Sequence, residues 1–544
     1  MAEDRGKALV KRWRALKETR APHMAYCDDL ARVMLPQRIG FASQVEPGQR
    51  RTDEIFDGTG MQAARGLANA TGGMLRPDGQ QWIFIEAADD ESKTDDEAKD
   101  WLADSEDRLV SALDAPRARF RQALGEADLD LVVFGMASVF TNEADCMDNL
   151  LFQTLHPKDA VPFFGEEGSP EGMFRSRSLK VRQARDKFGA DNLSDAVKKL
   201  IEQDKLDDNV EFLHAVLPRR EAQKGASGAR NMPFASLWME TESGKIVRES
   251  GFREFPYAVP RWDTSSGDDT GMSPGMIALP DTNTLQAMEE TVLIAGQRAA
   301  APPLLAPNDG TFDAANTFPD GITYYDADLA KTLGRIPVGP MDTGGNLPIV
   351  VQMQDNKRQQ VFAAYLRNVL NLPVDGPQMT ATEVMQRKEE FIREIGPVFG
   401  RLETDYTAPI VERAFLIMFR AGGFLPVPDS LAGRKIRFRY QSPVKKIRQQ
   451  VEAAAARMWA LELVELEQVR PGALDVLDID EYARFQAEAG NVPQRIIVSK
   501  DRVAEIRMQR LEQQQQAAEA AMMEGVVDSG TKVMKALPKQ GQAA

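Results

Sequence analysis

Residues 273–281 read Ser-Pro-Gly-Met-Ile-Ala-Leu-Pro-Asp, and this turn-rich stretch opens the segment around which the rest of the chain is organised. Asp281 or Thr282 is a good helix N-cap, because a short polar side chain there accepts a hydrogen bond from a free N–H of the first turn. The pattern that follows predicts a helix from Asn283 to Ala301. Apolar side chains recur along one face at helical spacing: Leu285, Met288, Val292, Ala295 and Ala299.

A second helix is predicted after a Gly-, Pro- and Asp-rich insert that begins at Pro302-Pro303. It follows Gly344-Gly345 and Pro348, and its pattern is more strongly amphipathic than that of the first helix. Its apolar side chains are Val361, Phe362, Tyr365, Leu366, Val369 and Leu370. Its polar side chains are Asn356, Lys357, Gln360, Arg367 and Asn371. Two helices therefore bracket an irregular insert.

Composition limits the possible functions. The chain has 544 residues, enough for several domains, and 67 Lys and Arg against 82 Asp and Glu give a net charge of −15. Tight, static binding of nucleic acid is therefore not expected, whereas loose contact or passage of DNA through a pore is compatible with this charge.

No apolar run reaches the length of about 18 residues that spans a membrane, and the N-terminus does not read as a signal peptide. Cys27 and Cys146 alone do not form a disulfide framework, which predicts a reducing folding compartment.

The rest of the chain reads as α+β and mainly helical. A long helix over residues 4–35, basic in its first half and kinked at Pro22, is followed by a helix over 61–74 and a strand over 82–86. Short strands dominate residues 150–259. After a loop at 372–379, a long helix begins at a capping box, Thr380-Ala-Thr-Glu383, and bends at Gly396-Pro397 and at Pro409. A basic strand over 434–442 precedes a helical C-terminal region.

A search for catalytic motifs is largely negative. The sequence contains no nucleotide-binding P-loop, no HExxH and no GxSxG elbow, and His23, His156 and His214 lie far apart. The glycines of the 58–60 turn favour a helix entry over a phosphate site. The acidic runs at 89–91 and 95–97 leave one enzymatic alternative, a metal-dependent nuclease that would lose activity when Asp95 and Asp96 are changed to Ala. Because such charge runs usually form a solvated surface, we predict no catalytic residue, no metal and no cofactor.

Several stretches, in this order, resemble one family. They are residues 51–82, the apolar run 131–136, the stretch 273–281 with its helix and Pro302-Pro303, residues 379–409, and Gly490-Asn-Val-Pro493 with the Gln-rich closing helix. The set spans roughly residues 5–520 and is similar to the portal proteins, or head-to-tail connectors, of short-tailed bacteriophages. No single motif is diagnostic, and the order of the set carries the resemblance.

The resemblance implies a homo-oligomeric ring, typically a dodecamer, at one capsid vertex, with double-stranded DNA passing along its axis during packaging and ejection. It also implies docking of the large terminase and then of a tail adaptor protein, contacts with capsid and scaffolding proteins, assembly in the bacterial cytoplasm, and no membrane or enzymatic activity. The implied regions are a wing (1–272 and 381–443), a stem of two helices (273–301 and 348–371), a clip (302–347), a tunnel loop (372–380), a crown (444–510) and a C-terminal barrel helix with a disordered tail (511–544).

The same resemblance assigns candidate contact residues. The tunnel-loop candidates for facing DNA are Asn371, Val374, Asp375, Gln378 and Met379. The candidates on the polar face of the second stem helix, expected to face the lumen, are Lys357, Gln360 and Arg367. The clip candidates for contacting the adaptor or terminase are Asn308, Asp309, Phe312, Tyr324 and Tyr325.

One residue of the first stem helix bears on assembly. Ile294 interrupts a polar face made by Gln286, Glu290 and Gln297, as a subunit contact would, although a single exposed apolar residue is equally compatible with the pattern. Two alternatives to the portal interpretation stay open at this point. One is another virion scaffold or internal protein without a channel, and the other is the nuclease.

Overall fold

The computed structural model describes residues 2–41, 48–79, 81–88, 96–143, 150–219, 228–300, 347–367, 396–440, 443–490 and 502–516, with a few isolated positions between them. Helices of this part include α1 (Ala2–Thr19), α2 (Ala21–Met34), α3 (Thr59–Leu75), α4 (Asp96–Leu113), α5 (Phe120–Phe134), α6 (Val181–Phe188), α7 (Asp195–Glu202), α8 (Pro274–Ala300), α9 (Leu347–Ala364), α10 (Ala408–Arg420), α11 (Pro443–Val469) and α12 (Ile479–Ala489).

The strands of this part pair antiparallel. They are β1 (Ile83–Ala87), β2 (Val139–Glu143), β3 (Leu150–Thr154), β4 (Ala160–Phe164), β5 (Pro170–Lys180), β6 (Asn209–Pro218), β7 (Phe234–Glu240), β8 (Ile246–Phe252), β9 (Tyr257–Ala258), β10 (Asp263–Thr264), β11 (Gly271–Met272), β12 (Leu304–Leu305), β13 (Gly339–Pro340) and β14 (Ile436–Tyr440). The largest sheet has the order β4-β5-β6-β7-β8, and a second one has the order β3-β2-β9. The predicted α+β class and the strand-rich region between 150 and 259 are thus confirmed.

The chain divides into two compact units. The first comprises residues 1–78 and 114–414, and the second comprises residues 79–113 and 415–544. In the first unit, α1 buries Trp13 and Val10 against the five-stranded sheet. Two of its basic residues take part in this packing: Arg12 lies 4.4 Å from the Phe163 ring centroid, and Arg14 donates to the carbonyl oxygen of Thr241. These two cations therefore have a structural role.

The first unit also contains a helical core built around α3 and α5. Leu67 and Leu131 are buried in it, and Asp128 of α5 accepts hydrogen bonds from Arg76 and from Tyr406, which lies 3.0 Å away. Tyr406 belongs to a π-helical turn, Glu403–Thr407, directly before α10. Because Pro409 has no N–H to donate back along the helix, this wider turn stands where the sequence predicted a bend.

The second unit combines a two-stranded sheet with helices. β1 pairs with β14, with Ile85 opposite Phe438. The indole N–H of Trp101 in α4 donates to the carbonyl oxygen of Leu425. Gln486 of α12 donates to the carbonyl oxygen of Ala453 in α11. These contacts confirm the strands predicted near 82–86 and 434–442.

Candidate functional site

The hairpin of α8 and α9, in the first unit, corresponds to the two predicted stem helices. The expected start of the first helix is wrong, because α8 begins at Pro274 rather than at Asn283. Ser273, not Asp281 or Thr282, is its N-cap: the Oγ atom accepts from the N–H of Met276 at 2.9 Å and donates to the carbonyl oxygen of Val133 at 2.7 Å. A proline directly after the cap has a backbone angle suited to the first turn, so the helix starts one residue after the serine.

A second proline lies inside α8. Pro280 cannot donate a hydrogen bond to the carbonyl oxygen of Met276, four residues earlier. The hydroxyl of Tyr26, from α2, donates to that oxygen at 3.2 Å instead. The sequence alone did not reveal this compensation, which is why the helix was predicted to begin after the proline.

The two helices pack antiparallel through apolar side chains. Leu285 of α8 and Val361 of α9 are completely buried, which confirms the two apolar faces of the prediction. Lys357 donates to Asp281 across the hairpin at 2.7 Å, and the side chains are 29% and 30% exposed. Lys357 therefore ties the hairpin together instead of extending freely from its polar face.

Arg358 is the main polar link between the hairpin and the body of the unit. Its Nε atom donates to Asp57 at 3.1 Å, one terminal nitrogen donates to Asp355 at 2.9 Å, and the other donates to Glu289. Burial disfavours the charged guanidinium, but the hydrogen bonds to Asp57 and Asp355 outweigh this and raise the pKa of Arg358. The cation stays charged and holds carboxylates of two helices and a loop.

Gln286 fixes the same loop to α8. Its Oε1 atom accepts from the N–H groups of Phe56 and Asp57 at 2.8 and 3.0 Å, and its Nε2 atom donates to the carbonyl oxygen of Asp57. The side chain is only 8% exposed. The predicted polar face of Gln286, Glu290 and Gln297 is therefore wrong for Gln286, whose amide satisfies buried backbone groups.

The remaining predicted contact residues are placed only in part. Gln360 is exposed on α9, and Arg367 is exposed with its guanidinium carbon 4.1 Å from the Phe362 ring centroid. The tunnel-loop candidates lie outside the described residues: Asn371, Val374, Asp375, Gln378 and Met379. So do the clip candidates: Asn308, Asp309, Phe312, Tyr324 and Tyr325. Their roles stay predictions.

Exposed apolar side chains on the hairpin were missed apart from Ile294. Ile277 and Ile294 of α8 are 56% and 42% exposed, and Ile349, Val351 and Met353 of α9 are 54%, 45% and 47% exposed. For Ile277, Ile349 and Met353, the sequence signal was an apolar position away from the buried face of the helix.

The acidic runs of the nuclease alternative are described only in part. Within the described residues, no group of His, Cys, Asp and Glu side chains is arranged to hold a metal ion. Asp96 begins α4, while Asp95 lies outside the described part of the chain. Among the helices that the structure describes, none combines the length and the apolar character needed to cross a bilayer.

Sequence relationships identify the class of protein. A model of the bacteriophage head-to-tail connecting protein family matches residues 6–498. The chain belongs to this family, which confirms the predicted resemblance. Its role in the phage head is therefore that of a portal protein, structural rather than enzymatic.

Two relatives match along nearly their whole length. The probable portal protein of Bordetella phage BPP-1 is 28% identical over 539 residues, covering 97% of this chain and 95% of the relative. The portal protein of Salmonella phage epsilon15 is 27% identical over 540 residues, covering 98% and 96%.

Two solved structures are more distant. A chain from the virion of a native gene transfer agent particle aligns at 11% identity with a TM-score of 0.34, over 76% of this chain and 90% of that one. A chain from the neck of an empty gene transfer agent particle aligns at 11% identity with a TM-score of 0.38, over 76% and 93%.

Proposed function

We propose that copies of this chain form a closed ring, with a dodecamer as the expected state, through which double-stranded DNA passes at one vertex of the capsid. The observation that carries this proposal is the family match over residues 6–498, combined with a two-helix hairpin joined to the body by Arg358 and Gln286. The hairpin is the stem in this proposal, and residues 302–346 between its helices belong to the clip.

The charge of the chain suits a conduit. A net charge of −15 disfavours strong neutralisation of phosphates, which would slow a sliding duplex. Arg367 is exposed near the end of the second stem helix and precedes the tunnel loop, and we assign both to the DNA-facing side. Lys357 is removed from that set, because Asp281 neutralises it.

The partners follow from the same proposal. The clip residues, among them Phe312 and Tyr324, would contact the large terminase during packaging and a tail adaptor afterwards. The wing regions (1–272 and 381–443), the crown (444–510) and the C-terminal segment would meet capsid and scaffolding proteins during assembly in the bacterial cytoplasm.

Electron microscopy of the purified full chain tests the proposal. Negative-stain class averages viewed down the oligomer axis are expected to show closed rings with a central hole wide enough for a DNA duplex. Closed particles without a hole, or open filaments, would favour a virion scaffold without a channel. Added DNA is expected to remain uncut in the presence of Mg²⁺, and cleavage that depends on Asp95 and Asp96 would favour the nuclease alternative.

A further inference from the structure

The C-terminal half of α11, in the second unit, has an exposed side that is mostly apolar. Five exposed residues follow one another at alternating spacings of four and three: Ala455, Trp459, Glu462, Leu466 and Val469. Trp459, Leu466 and Val469 are 43%, 54% and 83% exposed. This spacing keeps one side of a helix facing a single partner over several turns. We call these five residues the α11 seam.

The buried positions of α11 lie on another side of the helix. They include Ala453, Ala460 and Leu463, and Gln486 of α12 donates to the carbonyl oxygen of Ala453 at 2.8 Å. Within the described part of the second unit, the α11 seam is therefore left uncovered. A contiguous exposed apolar surface that includes a tryptophan is typical of an interaction site.

The seam also carries negative charge. Glu462 and its neighbour Glu465 are exposed, and neither has an ion-pair partner among the residues that the structure describes. Glu467 is occupied, because it accepts from the N–H groups of Gly472 and Leu474 at 3.0 and 2.9 Å. A fitting partner therefore combines apolar side chains with basic ones. The same seam of a second copy does not fit, since its carboxylates would meet like charges.

The chain itself contains a segment with the required composition. Residues 531–539 read Thr-Lys-Val-Met-Lys-Ala-Leu-Pro-Lys, so three lysines are interleaved with apolar residues, and no Asp or Glu follows residue 528. Residues 458–469 of α11, in contrast, contain three Glu and no Lys or Arg. The two stretches are thus complementary in charge, and both supply apolar side chains. The C-terminal stretch lies outside the described residues.

The course of the chain before this segment brings it toward the seam. Arg484 of α12 donates to the carbonyl oxygen of Val498 at 2.9 Å, and Arg507 pairs with Asp480 at 2.6 Å. From residue 498 to residue 507 the chain therefore runs from the middle of α12 to its start. The start of α12 directly follows the connection from the C-terminal end of α11.

The distance that remains is within reach. The stretch between residues 516 and 531 spans up to about 50 Å when it is extended. The whole of α11 is about 40 Å long, since a helix rises about 1.5 Å per residue. The C-terminal segment of a chain can therefore reach any part of the seam on that same chain.

We infer that residues 531–539 pack on the α11 seam of the same chain. The lysines of the segment pair with Glu462 and Glu465. Its apolar side chains cover Trp459 and Leu466, which removes exposed apolar surface from water. This contact goes beyond the proposed function and does not depend on the ring.

Photo-cross-linking in the full chain tests the contact. A photoreactive amino acid at position 534, in place of Met534, is expected to cross-link to residues 455–469. The product should keep the mass of one chain on a denaturing gel, and mass spectrometry of its peptides locates the bond. Cross-links to a second chain, cross-links only to other parts of the same chain, or a lack of cross-links would each overturn the inference.

Charge reversals test the pairing with the same cross-link as the readout. Glu462→Lys combined with Glu465→Lys is expected to lower the yield about fivefold or more, because two attractive pairs become repulsive. Adding Lys532→Glu and Lys535→Glu to that variant is expected to restore the yield. Glu512→Lys, at an exposed position outside the seam, is the matched control and should keep the wild-type yield.

Unchanged melting temperatures would show that the reversals leave the fold intact. An equal yield in the wild type and in the variant with both glutamates reversed would overturn the assigned charge pairing. A yield that stays low after the lysines are also reversed would overturn it as well.

Discussion

The hydroxyl of Tyr26 donates to the carbonyl oxygen of Met276 at a distance of 3.2 Å. Met276 lies four residues before Pro280, so its carbonyl oxygen faces the position where a helical N–H would otherwise stand. A side chain of α2 thus completes the hydrogen bonding of α8 across the proline. This contact lets the first helix of the hairpin begin close to the body of the unit.

Tyr26→Phe is expected to lower the free energy of unfolding by about 1 kcal/mol, because the carbonyl oxygen loses its donor at a partly exposed site. In a Pro280→Ala background, the N–H group introduced at position 280 supplies that hydrogen bond, and Tyr26→Phe should have almost no effect. Urea unfolding of the four proteins measures this double-mutant cycle. Equal losses in both backgrounds would contradict the proposed compensation.

Removing the Arg358 side chain is expected to weaken the attachment of the hairpin. Arg358→Met leaves Asp57, which is 9% exposed, and Glu289 without their cation, and we expect a loss of about 2 kcal/mol in the free energy of unfolding. Arg298→Met, at an exposed position of α8, is the control and should change stability by less than about 0.5 kcal/mol. A similar loss in both variants would mean that the Arg358 contacts contribute little.

Gln286 offers an independent test of the contact between the hairpin and the loop at residues 56–57. Gln286→Leu has nearly the same size but leaves two backbone N–H groups and one carbonyl oxygen of the 56–57 loop without partners, which is expected to cost about 2–4 kcal/mol. Hydrogen exchange should show faster exchange of the Phe56 and Asp57 amides. Gln297→Leu, on the exposed side of the same helix, is expected to leave these rates unchanged.

Asp128 is the acceptor at the centre of a buried polar cluster. Burial, then the neighbouring Asp128 carboxylate, raises the pKa of Tyr406 far above its ordinary value, so the phenol keeps its proton and donates to Asp128. Asp128→Ala would leave the buried Arg76 cation unpaired, and we expect a loss of about 3–5 kcal/mol.

The charge explanation for Asp128 is checked by removing both partners. The variant with Arg76→Met and Asp128→Leu contains no unpaired buried charge, and it is expected to be more stable than Asp128→Ala alone. Thermal unfolding compares the two. A double variant less stable than the single one would mean that the cost of Asp128→Ala comes from lost packing.

His156 is expected to make stability depend on pH. Its Nε2 atom lies 3.0 Å from the carbonyl oxygen of Arg38 and its Nδ1 atom accepts from the N–H of Lys158, which fixes the neutral tautomer. Burial, followed by the charge of Arg38, lowers the pKa of His156 to about 4. The unfolded chain binds a proton below about pH 6.5 that the folded chain binds only near pH 4, so stability is lost as the pH falls through this window.

His156→Gln removes that titration. The wild type should lose about 3 kcal/mol more than the variant between about pH 6.5 and about pH 4, measured as urea midpoints at a series of pH values. Parallel pH dependences in the two proteins would show that His156 is not the group responsible.

The hairpin shows how far sequence patterns reach. The apolar periodicity was sufficient to predict both helices and their buried faces, since Leu285 and Val361 are indeed buried. The start of α8 was misplaced because Asp281 and Thr282 have the chemistry of a cap, while the true cap, Ser273, is stabilised by the carbonyl oxygen of Val133, 140 positions away in the sequence. Local pattern contains no information about such a contact.

In the candidate site, too, the sequence pattern predicted the apolar faces but not the environment of the polar residues. Lys357 and Gln286 both looked like solvent-facing polar residues, because periodicity reports only which face is apolar. Lys357 is neutralised by Asp281, and Gln286 is buried against the 56–57 loop. A polar residue that bonds to another segment of the subunit cannot be distinguished from a solvent-exposed polar residue until its partner is known.

The sequence by itself determined the family, the mainly helical α+β class and the absence of known catalytic motifs, because these depend on residue order, periodicity and composition. Only the tertiary structure decided which polar side chains are hydrogen-bonded within the subunit and which apolar side chains of the hairpin stay exposed. The physical reason is that burial and hydrogen bonding depend on residues far apart in the chain, as when Tyr26 from α2 completes the backbone of α8.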